Sequence, residues 1–236
     1  MKTTRFLLLG LSLLLLSQCW WKKDDPAPPT TIALPQGLKE LALFRNGTYW
    51  VYRNEQTGEL DSVSVSGFEH DTMDVEKPSP PHKLWYRQEN FRYVTTSSLT
   101  GQRLQYHGLM HCSLGAYDPN DACHVVNRRL VQPGISEGVS ADYLLYRPVV
   151  GARTSSPYSG SVDSETTVVE TLPTLTVQGQ QYRDVVHMHV SNNPTELPWG
   201  SHSDYYIAPG AGLVRRETNQ GNPAVRWDLV RKHIVQ

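Results

Sequence analysis

Apolar and polar residues alternate with a period of two through most of the chain, and nothing after Phe44 sustains an apolar repeat of 3.6 residues over three turns. Successive side chains of a strand point to opposite faces, so this pattern predicts an all-β domain. Strands are expected over 48–53, 60–67, 83–87, 91–96, 103–106, 124–131, 142–147, 166–171, 174–177, 182–190, 203–207, 212–218 and 225–234. Most are separated by Gly, Pro, Asn or Ser clusters of hairpin length. Parallel pairing would need crossover helices, so the expectation is a single antiparallel sheet, curved or partly closed, as a meander, half-barrel or sandwich with few or no helices. One short helix fits 36–44. The clearest hairpin turn is Gln178-Gly179, where glycine supplies a positive φ. In the strand that follows, Val186, Met188 and Val190 share one face and Val185, His187 and His189 the other.

The first thirty residues read differently. Lys2 and Arg5 precede an uncharged apolar run from Phe6 to Leu16, the pattern of a secretory leader. The run is shorter than the roughly 20 residues a spanning helix needs. The residues behind it, Leu16-Ser17-Gln18-Cys19, resemble the lipobox of bacterial lipoproteins, although Gln18 stands where that pattern prefers a small residue. The resemblance implies cleavage before Cys19 and acylation of that cysteine by diacylglycerol and palmitate-type chains. Three such chains, at about 0.8 kcal/mol per buried CH₂, hold a protein to a membrane for good. The Pro-rich stretch from Pro26 to Pro35 is an extended spacer. The expected division is therefore 1–18 signal peptide, 19–35 lipidated cysteine and tether, and 36–236 one β-rich domain. Lys23-Asp24-Asp25 resembles the export signal of Bacteroidetes-type surface lipoproteins, which implies the outer membrane and its outer face, with the periplasmic face as the alternative.

Charge narrows the partners. The chain carries 22 basic and 23 acidic residues, and loss of Lys2 and Arg5 with the leader leaves it near −3, without blocks. A nucleic-acid surface would need clustered Lys and Arg, and only isolated basic pairs occur. Cys112 and Cys123 remain once Cys19 is acylated, and in an exported chain a disulfide between them is the plain reading. His111-Cys112 and Cys123-His124 also make a zinc set conceivable, but the tight Cys-x-x-Cys spacing of such sites is missing.

Candidate chemistry is sparse. His187 and His189 stand about 6.5 to 7 Å apart on one strand face, the best metal pair in the sequence; His202, Asp204 or His233 would have to supply a third ligand. Asp118, Asn120 and Asp121 collect oxygens in a loop whose order fits turn chemistry better than a calcium site. No free reactive cysteine is expected, Ser159-Gly160-Ser161 lacks the strand-to-helix setting of a nucleophile, and no cofactor motif is present. Aromatic residues are the remaining resource. Trp85-Tyr86 and Tyr205-Tyr206 are adjacent pairs that a strand must send to opposite faces, so one ring of each is a candidate ligand contact.

Residues 174–188 and the run Tyr205-Tyr206-Ile207-Ala208-Pro209-Gly210-Ala211-Gly212-Leu213-Val214-Arg215, with Gly47-Thr48-Tyr49-Trp50-Val51-Tyr52, resemble a group of Bacteroidetes lipoproteins. That resemblance implies a β-rich, incompletely closed sheet and no activity. Independently of it, Gly210 and Gly212 permit a tight reversal that returns Ile207 and Leu213 to a core. Asp61-Ser62-Val63 and Asp71-Thr72-Met73 resemble the O-glycosylation sequon of that phylum. The expectation is a non-enzymatic envelope lipoprotein that binds a glycan, a lipid or an envelope protein. A structural component without a small-molecule site and a metal-dependent hydrolase are the alternatives.

Overall fold

The alternating segments pair into one sheet. The structure, a computed structural model, describes residues 31–79, 82–110, 124–130, 140–144, 150–156, 164–193, 201–219 and 224–236. Its first elements are β1 (Thr31–Ile32), α1 (Gln36–Ala42), β2 (Tyr49–Asn54), β3 (Leu60–Ser79), β4 (His82–Ser97), β5 (Arg103–Met110), β6 (His124–Leu130) and β7 (Ser140–Leu144). They are followed by β8 (Arg153–Ser156), β9 (Ser164–Val177), β10 (Gln180–Asn193), β11 (Ser201–Ala208), β12 (Gly212–Asn219) and β13 (Val225–His233). The order across the sheet is β7-β6-β5-β4-β3-β2-β13-β12-β11-β10-β9-β8. It is two antiparallel meanders, β2 to β7 and β8 to β13, joined where the first long strand pairs with the last. Among the described residues one pairing is parallel, β1 on β4, and it makes the sheet mixed.

This order forces the sheet to curl. Only residues 145–152 connect β7 to β8, the two ends of the sheet, and eight residues reach at most about 29 Å. Twelve strands laid flat at ~4.8 Å would hold those ends about 53 Å apart. Accordingly β7 comes within 8 Å, Cα to Cα, of β8 and β9, and no hydrogen-bonded pairing joins those edges among the described residues. The sheet is curled and not closed.

Helix α1 plugs one end of the curl. Leu38, Leu41 and Ala42, spaced three and four apart, bury one face of it, and Leu43 and Phe44 continue the buried run. The Tyr93 hydroxyl donates to the Ala42 carbonyl at 2.9 Å, and Gly210 N–H donates to the Glu40 carbonyl at 2.8 Å. The chain reaches this helix as packed structure. Residues 31–35, expected to belong to the Pro-rich spacer, hold β1 against β4 and bury Leu34, whose N–H donates to Glu89 at 2.6 Å. Lys39 and His70 reach the same carboxylate, each at 2.6 Å. Burial opposes its ionisation, but these donors outweigh burial and hold it below the usual carboxylate range.

Two pairs of expected strands are single strands. Segments 83–87 and 91–96 are both parts of β4, and 166–171 and 174–177 of β9. Pro173 does not end β9, because it and Asp184 opposite are skipped in the register, so its missing N–H interrupts no bond there. Strand β1 and strand β8 answer to no expectation. Cys19, Cys112, Cys123, the 118–121 loop and the 159–161 turn lie outside the described residues. Among the described residues no helix is long and apolar enough to cross a membrane.

Candidate functional site

Register sorts the side chains of the sheet into two faces. Met188, Tyr205, Arg216, Trp227 and Asn54 form one row across β10, β11, β12, β13 and β2. The neighbouring row, His187, Tyr206, Arg215, Asp228 and Arg53, necessarily faces the other way. The first row lies on the concave side, and there the curl encloses a cavity of about 330 Å³.

The cavity is built mainly of rings. Its closed end is α1 and what α1 packs on: Leu41, Ala42, Phe44, Trp50 and Tyr93. Phe44 meets Trp50 edge to face at 5.0 Å, and the buried Trp50 N–H donates to the Ala211 carbonyl at 2.7 Å. Tyr52, Tyr106, Tyr205, Ile207 and Trp227 form the wall. Tyr93 and Tyr106 stack at 5.0 Å. The hydroxyl of Tyr52 donates to the Leu213 carbonyl at 3.0 Å. Burial pushes the Tyr52 and Tyr93 phenols well above their ordinary value, so both remain neutral donors. The open end is polar: Asp61, Ser97, Thr100 and Gln102 line it, together with the exposed Leu99. Two charged side chains, Asp61 and Arg216, reach the lining, and the Arg216 guanidinium lies 5.6 Å from the centre of the Trp227 ring.

An apolar enclosure of this size, with a few convergent polar groups toward one end, is the usual anatomy of a small-molecule site. It offers desolvation, ring contacts and hydrogen bonds to a bound molecule.

The adjacent aromatic pairs come out differently from each other. Tyr205 is fully buried in the cavity wall, while Tyr206 faces away and stacks on His187 at 4.3 Å. Burial, then Glu217 and Asp204, push the Tyr206 phenol up to about 12. Trp85 and Tyr86 pair with Glu76 and Val75 in the far half of β4, Tyr86 being seven residues, about 23 Å, from Tyr93. Trp50, Tyr52, Tyr93, Tyr106 and Trp227 line the cavity with Tyr205 and were not among the rings expected there. Only the pairing of the five neighbouring strands β5, β4, β3, β2 and β13 puts those five together.

His187 and His189 lie on the face opposite Met188. His187 Nε2 and His189 Nδ1 stand 3.0 and 3.1 Å from the same Asp204 oxygen, and His187 Nδ1 stands 3.2 Å from Glu170. A neutral imidazole has one N–H, so bonding both carboxylates requires the protonated ring. Burial disfavours that charge, but the hydrogen bonds and charges of Asp204 and Glu170 outweigh it and raise the His187 pKa. His202 stacks on His189 at 5.6 Å. The arrangement is an ion-pair network; among the described residues no group of three or more His, Cys, Asp or Glu is placed to hold a metal ion.

Fold and cavity together define a class: an all-β protein whose single curled, unclosed sheet surrounds an aromatic chamber plugged by a short helix. No protein-family model and no curated protein matches the sequence. Among solved structures the chain is similar to a crystal structure from Parabacteroides distasonis described as that of a lipoprotein, with 13% identity and a TM-score of 0.34, over 80% of this chain and 96% of that one. At that TM-score the likeness carries no structural or functional argument.

Proposed function

We propose that this chain is a lipid-anchored binding protein of the bacterial envelope that holds a small, predominantly apolar molecule inside the curled sheet. The aromatic cavity of about 330 Å³ carries the reading. Filling it releases water from rings that would otherwise stay wet, a gain of about 25 cal/mol for each Å² of apolar surface covered. The lipobox-like Leu16-Ser17-Gln18-Cys19 supports the anchor, and Lys23-Asp24-Asp25 supports the outer membrane with the domain on its outer face. A disulfide between Cys112 and Cys123 belongs to the same proposal.

The test is binding of N-phenyl-1-naphthylamine, an apolar dye that brightens out of water, to residues 19–236 carrying Cys19→Ser, which keeps every described residue without the lipid. Saturable binding is expected, with loss in Leu104→Trp, a substitution that fills the cavity from its half-exposed wall. Equal binding by a folded Leu104→Trp, or none by the parent chain, overturns the reading.

A further inference from the structure

We infer that the β4–β5 turn is the gate of the cavity, with Leu99 as its leaf and Asp61 as the positioning residue that keeps it closed. The inference rests on the binding reading above and adds how the site is reached.

Residues 97–102 form a compact unit. Gly101 N–H donates to the Ser97 carbonyl at 3.0 Å, Ser97 N–H to the Gln102 carbonyl at 3.0 Å, and Thr100 N–H to Ser97 Oγ at 3.1 Å. The unit therefore tends to move as one body. It is fastened to β3 at two neighbouring residues. Asp61 accepts Ser97 Oγ on both carboxylate oxygens, at 2.8 and 2.9 Å, and Leu99 N–H at 3.2 Å, with Ser98 Oγ at 3.5 Å. Beside it, Ser62 N–H donates to Ser98 Oγ at 2.9 Å, and Ser98 N–H to the Ser62 carbonyl at 2.8 Å.

Two features separate this from an ordinary hairpin turn. Asp61 is only 6% exposed, so its charge is held out of water at a cost that the donors of the turn must offset. The turn it holds carries a large apolar side chain, Leu99, which is 42% exposed and also lines the cavity. Leu41 and Ala42 of α1 line the opposite end, and Leu99, Thr100 and Gln102 stand at the polar end, which the gate takes as the route in. Hydrogen bonds to a charged group weigh more than neutral ones, so neutralising Asp61 loosens the gate first.

The experiment is stopped-flow mixing of the same protein with N-phenyl-1-naphthylamine, comparing the parent chain with Asp61→Asn and Leu99→Ala. A gate governs passage, not the ring contacts that hold the dye. Association and dissociation rates are therefore expected to rise together, roughly tenfold in Asp61→Asn, and the faster association is what loss of a ligand contact does not produce. Leu99→Ala, an exposed position that leaves the hydrogen bonds of the turn in place, is expected to move the rates the same way and keeps the test alive if Asp61→Asn does not fold. Unchanged rates in Leu99→Ala, with the parent binding and Leu104→Trp not binding, overturn the gate and leave the cavity standing. A change in Kd through dissociation alone also overturns the gate, because it makes these residues ligand contacts. No binding by the parent chain overturns both.

Discussion

Replacing Gly212 by alanine separates two kinds of cost at one turn. Gly212 has a φ of +73°, and a Cβ there would stand 2.9 Å from Phe44 Cζ and 3.1 Å from its Cε2. Gly210, two residues earlier, has a φ of +63° and nothing within 4 Å of an added Cβ. Both substitutions incur the left-handed penalty of an L residue, roughly 1–2 kcal/mol. Only Gly212→Ala also overpacks, since Phe44 is wedged 5.0 Å from Trp50 and 6.2 Å from Tyr93 and has little room to withdraw. Overpacking typically adds 1–3 kcal/mol, so Gly212→Ala should cost about 2–5 kcal/mol. The assay is urea unfolding followed by tryptophan fluorescence, with equal m values required before midpoints are compared. In a Phe44→Leu background the excess of Gly212→Ala over Gly210→Ala should shrink, which attributes it to the ring. If the two alanines cost the same within about 0.5 kcal/mol, the Phe44 contact has no role in closing this end of the cavity.

Three further outcomes follow from other contacts. Gly108 lies directly across from Phe91, whose Cε1 would be 2.1 Å from an added Cβ, so Gly108→Ala should destabilise by about 1–3 kcal/mol although its φ is ordinary; a thermal scan that finds no loss refutes the packing argument. Trp50→Phe leaves the buried Ala211 carbonyl without its donor and should cost about 1–3 kcal/mol, read as a lowered urea midpoint. His187 has its pKa raised on folding, so its contribution is complete below the unfolded value near 6.5 and fades as pH rises through the folded one. The pKa of Asp204 is lowered, because its bonds to His187 and His189 outweigh burial, so its share is present above the unfolded value and fades as pH falls through the folded one. The stability gap between the parent and His187→Gln should therefore be larger at pH 5.5 than at pH 8.5; a gap that is flat or grows with pH contradicts the ion-pair assignment.

Period-two alternation was enough to fix the class of fold and most strands, because the side-chain direction of a strand is a local property that every residue reports. The same holds for the Gln178-Gly179 turn, where both residues take positive φ, 51° and 77°, and for the Gly210–Gly212 reversal. A short helix was expected over 36–44, and α1 occupies 36–42 of that segment. What local pattern could not supply was the partner of each strand. Pairing β2 with β13 brings together residues more than 170 positions apart, and that seam, with the short β7–β8 connection, makes the sheet curl. The cavity is a consequence of the curl. Trp50, Tyr93, Tyr106 and Trp227 are ordinary strand aromatics in the sequence and become one lining only when register and curvature turn them inward. Asp61 is a similar case: it reads as part of a three-residue sequon, and tertiary structure buries it beneath the turn that carries Leu99. Alternation depends on each residue and its neighbours in the chain, whereas a concave site depends on which distant strands are adjacent and how far the sheet bends, and only the folded chain decides those.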